Sequence, residues 1–477
     1  MAGALAASFG LPALAIAADP CGDWHLTDSP TIGNSYTRLT AVTARATGEA
    51  WAVGHWRDQP AGSGPLVIRW DGAGWSGVAL PPTGHLGNLP VTEGVDLTPA
   101  GDLWVVGNVT TPAPTNTLPL TLRRQAGAWS EVGVITLRPQ TVHPFAPRGG
   151  SLTEVDALND DDVWAVGIAV GYGDGGATTV PLAAHFDGSV WSDVAVPLVA
   201  NRHHQLTGVA AIASDDVWAV GDYRNVALNY HGVTYHWDGS EWTHVASPIE
   251  EISGSGIDDV AAWGPNDVWA LGNGNGAVLL MHWDGTDWSM VSAPPNSGGS
   301  LLAVGPNQLW VSGWNGYWYW DGAVWHDVPT AVPGSSFTIR SGGFAQTSAC
   351  DLWCVGFWTE ADGVTGSTLA EHLQTDPTAV EAEVSGIVRI ECANPYRARE
   401  PIRLQLASGG TAHLSVFDLR GARVRRLLES PGRSGADVAY WDGRDENGIA
   451  VPRGLYFLRL ESGGSLSSAK LLYLGSR

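Results

Sequence analysis

The sequence predicts an all-β protein: a seven-bladed β-propeller closed by its own N-terminal strand, followed by a β-sandwich. Three observations predict it. A strand motif recurs seven times, the last repeat lacks its final strand, and the charge changes sign near residue 384. The motif reads WAVG at Trp51, WVVG at Trp104, WAVG at Trp164 and Trp218, WALG at Trp269, WVSG at Trp310 and WCVG at Trp353. Its successive spacings are 53, 60, 54, 51, 41 and 43 residues. A period of that size accommodates a four-stranded blade and its loops.

Each part of the repeat has a local reason. The Asp ahead of the Trp, as at Asp216 and Asp267, satisfies neighbouring backbone N–H groups at a strand-opening turn. The buried run through the Trp then ends at a Gly. A second motif follows as WDGAGW (Trp70), RQAGAW (Arg124), FDGSVW (Phe186), WDGSEW (Trp237), WDGTDW (Trp283) and WDGAVW (Trp320). Its Asp-Gly is a tight-hairpin signal, and the two flanking aromatics are placed to pack across the hairpin. After Trp353 no W-x-x-V-x-S-P strand appears, whereas the N-terminal DWHLTDSP has the same Trp-to-Pro step as Trp242 to Pro248 and Trp288 to Pro294. The N-terminal strand is therefore expected to complete the seventh blade, which leaves no open edge.

Residues 1–18, MAGALAASFGLPALAIAA, carry no charge and end in Ala-x-Ala, the pattern of a signal peptide. No other apolar run reaches the roughly 20 residues of a membrane span. Residues 1–383 hold 11 basic and 39 acidic side chains, net −28, while 384–477 hold 14 and 9, net +5. A body so acidic excludes nucleic acid as a partner. The expected organisation is a signal peptide (1–18), a propeller (19–374), a linker (375–383) and a sandwich (384–477). Cys21 and Cys350 fall at one end of the seventh blade and are the candidate disulfide; Cys354 replaces a core Ala.

The repeats resemble those of bacterial secreted propellers loosely related to the kelch and Asp-box families. The Asp-box spacing itself is not matched, since Asp and Gly are adjacent here, which argues against sialidase chemistry. Seven alternating runs after residue 384 indicate a sandwich. The stretches ANPYRAREPIRLQL, LSVFDLRGARVRRLL, YWDGRDENGIAVPRGLYFLRL and AKLLYL resemble the FlgD-type immunoglobulin-like domain and, equally, the C-terminal sorting domain of type IX secretion. The matching positions are Asn394, Pro395, Gly454, Tyr456, Phe457 and Lys470, the only lysine. The resemblance implies recognition by the outer-membrane secretion machinery and a secreted or cell-surface location on a Gram-negative-type bacterium.

The residue before the W/F-D-G position runs Arg69, Arg123, His185, His236, His282, Tyr319 and His372. These lie on separate blades, too far apart to share a metal, and read as packing hydrogen-bonders. DGRDENG lacks the ligand spacing of a calcium loop and reads as a turn. No metal, cofactor or catalytic set is expected. Function is expected on the loop face, where blades differ: Trp56, Tyr223, Trp314 and Trp358 as exposed aromatics, with Arg57, Asp58, His203, His204, Tyr230, His231 and Glu360 as polar partners. That equipment suits a glycan or an extracellular protein ligand. A glycoside hydrolase or polysaccharide lyase on the same face, and a structural spacer, remain the alternatives.

Overall fold

The structure, a computed structural model, describes residues 24–475 except 33–35, 46–47, 59–61, 82–89, 111–115, 134, 136, 138–146, 174–175, 200–202, 226, 296, 314–315, 331–336, 340–341, 349, 360–365, 375–388, 392–395, 400, 407–410, 419–422, 432–434 and 463–464. The signal peptide, Cys21, Trp314, Glu360, the linker, Asn394 and Pro395 lie outside the described residues. The described elements are all strands, and no helix among them is long and apolar enough to cross a membrane. The chain divides into two compact units, Met1–Thr375 and Asp376–Arg477.

The first unit is a β-propeller. Five four-stranded antiparallel sheets follow one another along the chain, here numbered sheet 2 (90–131), sheet 3 (147–194), sheet 4 (204–245), sheet 5 (255–291) and sheet 6 (297–329). Sheet 1 has nine strands and joins the two ends of the unit. Gly366–Gln374 is antiparallel to Asp351–Thr359 on one side. On the other it meets Trp24–Leu26 antiparallel and touches Tyr36 of Tyr36–Ala44 through Gly366 in parallel. Ala50–Asp58, Gly62–Trp70 and Trp75–Gly77 follow Tyr36–Ala44, and Phe337–Ile339 and Phe344–Ser348 both pair with Asp351–Thr359 to make the nine. The N-terminal strand thus lies where DWHLTDSP places it.

Tryptophans hold sheet to sheet. The two aromatics of each hairpin are neighbours, with Trp237 and Trp242 at 5.9 Å and Trp320 and Trp325 at 5.3 Å. The outer member also packs edge-on against the motif Trp of the preceding sheet. These pairs are Trp191 on Trp104, Trp242 on Trp164 and Trp288 on Trp218, with interplanar angles of 90°, 90° and 86°. The series runs through the chain ends: Trp24 meets Trp310 at 77° and Trp75 meets Trp353 at 80°. Edge-to-face pairs of this kind add about 0.5–1.5 kcal/mol each beyond area burial.

The Gly that ends the strand motif is required by close approach. A Cβ on Gly54, Gly107, Gly167, Gly221 or Gly272 would overlap the carbonyl oxygen of Arg38, Val91, Ser151, Gln205 or Gly256 on the first strand of the same sheet. The first strand is drawn in because it carries a β-bulge there, between Leu39 and Ala41, Thr92 and Gly94, Leu152 and Glu154, Leu206 and Gly208, and Ile257 and Asp259.

The second unit has two sheets. One contains Arg389–Glu391, Pro401–Leu406 and Gly435–Tyr440; the other contains Arg423–Pro431, Thr411–Phe417, Gly454–Ser462 and Ser465–Tyr473. Its core gathers Tyr396, Leu414, Trp441, Tyr456, Leu458 and Tyr473. The Tyr396 hydroxyl accepts from Trp441 N at 3.0 Å and donates to Trp441 O at 3.1 Å, so the buried phenol is satisfied.

Candidate functional site

The registered position before each W/F-D-G hairpin forms a repeated three-part stack. The His or Arg lies over the motif Trp and is held from behind by the carboxylate of the strand-opening turn. His185 stacks on Trp164 at 4.4 Å and bonds Asp162 at 2.8 Å. His372 lies 3.8 Å from Trp353, nearly parallel, and bonds Asp351 at 2.6 Å. Arg123 sits 5.3 Å over Trp104 and donates to Asp102 at 2.9 Å. Burial pushes the carboxyl groups of Asp267 and Asp351 up, but bonds from His282, Asn307 and Trp269 to the first, and from His372 and Thr347 to the second, outweigh it and leave both lowered. The stacks are structural, and among the described residues no group of side chains is arranged to hold a metal ion.

The bulged first strands of the sheets surround an axial cavity of about 370 Å³. Carboxylates on one sheet accept backbone N–H bonds from the next: Asp96 from Ala157 at 2.9 Å, Glu154 from Val209 and Asp156 from Ala211 at 2.8 Å, and Asp259 from Leu301 at 2.9 Å. Bulged threonines add bonds in the same sense, Thr153 Oγ1 donating to Leu206 O at 3.0 Å and Thr207 Oγ1 to Ile257 O at 2.7 Å. Burial pushes Asp96 up to about 6 and Asp156 and Asp259 to about 7. Glu154 is raised by burial and by the nearby Asp259 charge. These axial carboxylates serve as latches between sheets.

Two groups of the expected site residues are brought together. Trp56, Arg57, Asp58 and Trp358 share sheet 1, the two tryptophans on strands separated by Gly366–Gln374 and Tyr36–Ala44. Trp56 is half-buried and lies against Gly64, where a Cβ would come within 2.9 Å of the indole. Arg57 is exposed, and Asp58 Oδ1 is buried without a hydrogen-bond partner.

His203, His204, Tyr223, Tyr230 and His231 gather in sheet 4. His204, Tyr223 and His231 form a row across three strands, with rings 5.4 and 5.5 Å apart. Here the expectation of exposed side chains is corrected. Tyr223 is 8% and His204 2% exposed, because Tyr223 belongs to the cluster that packs sheet 4 on Trp164 and Val166 of sheet 3. The Tyr223 hydroxyl donates to Glu250 at 3.2 Å, and burial with the Glu250 charge pushes the phenol up to about 12. Asn225 donates to His231 Nε2 at 2.9 Å and His231 Nδ1 donates to Glu250 O at 2.7 Å. Tyr230 is the exposed member, at 45%, with Arg224 4.8 Å over its ring.

Arg38, His55, Glu93 and the axial carboxylates were missed by reasoning from loops. The available signal was the first strand itself, LTAV (Leu39–Val42), LTEV (Leu152–Val155) and LTGV (Leu206–Val209), which aligns the bulged Thr with the motif Gly that follows. In the second unit Tyr456 is buried, Phe457 is 38% exposed, and Phe457 faces Lys470 across the sheet. Cys350 is disulfide-bonded, to a partner outside the described residues, and Cys354 is a buried thiol in the core.

No family model matches the chain, and no curated protein matches it. Among solved structures it is similar to a protein of unknown function from Dyadobacter fermentans, with 11% identity, coverage of 74% of this chain and 98% of that one, and a TM-score of 0.43. It is similar to Penicillium chrysogenum α-L-arabinanase complexed with arabinobiose, with 10% identity, coverage of 72% and 99%, and a TM-score of 0.41. A third similarity is to Porphyromonas gingivalis PorZ, a surface component of the type IX secretion system, with 13% identity and a TM-score of 0.33. That match covers 90% of this chain, which spans 58% of PorZ.

Proposed function

We propose that the protein is an exported, surface-associated, non-catalytic seven-bladed propeller that binds a glycan or protein ligand, with a C-terminal immunoglobulin-like sorting domain. Sheets 2 to 6 count as five blades. Sheet 1 counts as two, joined where Gly366 meets Tyr36. Trp24–Leu26 then closes the ring as the outer strand of the last blade. Cys21 is proposed as the partner of Cys350, which directly precedes Asp351–Thr359; that strand and Trp24–Leu26 flank Gly366–Gln374 on opposite sides.

The observation that carries the binding reading is how the buried axial carboxylates are used. Asp96, Glu154, Asp156 and Asp259 each accept a backbone N–H of the neighbouring sheet, which favours support over acid–base chemistry. The exposed loop-end side chains Arg57 and Tyr230, with the half-buried Trp358, supply contacts for a ligand. A glycan and polysaccharide array probed with the protein tests this. Retention on one glycan class without product release is expected; release of reducing ends would overturn it in favour of the hydrolase. Deleting 384–477 is expected to leave a folded propeller inside the cell, and normal export of that truncation would end the sorting assignment.

A further inference from the structure

The end of the axial cavity nearest the hairpin Asp58–Gly62 differs from the rest of its wall. A recess of about 220 Å³ opens there, lined by Arg38, Leu39, Thr40, Glu93 and Thr153, and it shares Thr40, Glu93 and Thr153 with the main cavity. Arg38 and His55 are direct cross-strand partners in sheet 1, and Glu93 is the bulged residue at the start of sheet 2. Elsewhere along the axis Asp96, Glu154, Asp156 and Asp259 accept backbone N–H bonds and Asp258 accepts from the Asn273 side chain. Here Arg38 Nε and His55 Nδ1 are buried with no hydrogen-bond partner. Glu93 Oε1 stands 3.9 Å from His55 Nδ1, beyond hydrogen-bond reach. Leaving a buried polar atom unsatisfied costs about 1–3 kcal/mol, and the fold gains nothing visible from placing two of them together.

We propose that Arg38 and Glu93, backed by His55, form a subsite for the vicinal hydroxyl groups of a single sugar ring, entered end-on along the propeller axis. This rests on the reading of the protein as a glycan binder and names the part of the glycan it takes. A planar guanidinium donates two parallel N–H bonds, a carboxylate accepts two, and the hydroxyls of a diol can supply the opposite role to each at once. His55 complements them as a neutral group: burial, with Arg38 and Arg57 nearby, lowers it to about 4, so one ring nitrogen accepts and the other donates. Burial raises Glu93, and the Arg38 charge beside it opposes that shift. A recess of about 220 Å³ has room for one sugar ring and not for a run of them, so it suits the terminal unit of a chain.

The test uses the full chain with named probes: the methyl glycosides of galactose, mannose, glucose and arabinose, and unbranched hexasaccharides of the same sugars. Binding is read by saturation-transfer NMR and calorimetry. One methyl glycoside is expected to bind with an affinity close to that of its hexasaccharide. Arg38→Gln and Glu93→Gln are each expected to weaken it by roughly tenfold or more at unchanged Tm, while Trp263→Ala, at an exposed side chain outside the recess lining, leaves it alone. Hexasaccharide binding that ignores Arg38→Gln and Glu93→Gln but is lost in Tyr230→Ala would overturn the subsite and leave the glycan-binding reading standing. Failure of every probe to bind would overturn the subsite together with the glycan form of that reading.

Discussion

Asp259 and Asp267 stand on adjacent strands of sheet 5, and their carboxyl groups are treated in opposite ways. Asp267, beside the hairpin, takes bonds from His282, Trp269 and Asn307 and is lowered despite its burial. Asp259, on the axis, accepts only backbone N–H groups from Val260 and Leu301, lies near Asp258 and Glu154, and is pushed up to about 7. The contrast recurs around the unit, between a belt of Trp–His–Asp stacks and an axis of latching acids. It teaches that a repeat can use one residue type for two jobs, the difference being whether a cationic or aromatic partner accompanies it.

The belt should dominate stability. Trp218→Ala, which strips the contacts of Trp218 with His236, Trp283 and Trp288, is expected to cost about 3–5 kcal/mol in urea unfolding. A cost below 1 kcal/mol would remove the belt from its leading place. Gly221→Ala presses a methyl onto Gln205 O and is expected to cost about 1–3 kcal/mol, seen as a lower urea midpoint; an unchanged midpoint would mean the bulge relaxes freely. His236→Ala leaves the Asp216 carboxylate without its 2.8 Å partner, with an expected loss of about 1–2 kcal/mol at neutral pH.

The axis should respond to pH instead. A carboxyl raised on folding contributes stability that is complete below its unfolded value near 3.8 and is lost as pH rises through its folded value. For Asp156 and Asp259 that loss runs up to about pH 7. His55 acts in the opposite sense: lowered to about 4, its contribution is present above pH 6.5 and lost as pH falls through 4. Asp156→Asn keeps an acceptor for Ala211 N and removes the ionisation. It is expected to raise stability by about 1 kcal/mol or more at pH 8, with the gain shrinking steadily towards pH 4, measured by calorimetry. An equal effect at both pH values would show that the axis carries no ionisation cost.

The belt was legible in the sequence and the axis largely was not. Trp164, Trp218 and their hairpin partners sit in motifs whose order and spacing repeat, so the sheets and the N-terminal strand could be placed from residue types alone. The same spacing was silent on Trp242 meeting Trp164 of the sheet before it, because packing between repeats leaves no period along the chain. Glu93, Thr153 and Asp258 escaped for another reason: a bulge breaks the alternation of strand faces, so their positions cannot be counted from the neighbours. Tyr223 was placed in the right group but on the wrong side of the surface, since a residue just past the motif Gly still belongs to the strand.

Trp24–Leu26 carries a consequence for how the chain must be made. Its pairing partner is Glu371–Leu373, and Thr27 donates to Ala370, a sequence separation of 343. A ribosome adding roughly 5–20 residues per second keeps that short strand waiting on the order of half a minute before its partner exists. During synthesis the surface of Trp24 that later stacks on Tyr317 at 4.0 Å stays uncovered. Any chaperone or export factor that guards the nascent chain has its longest task at this one tryptophan.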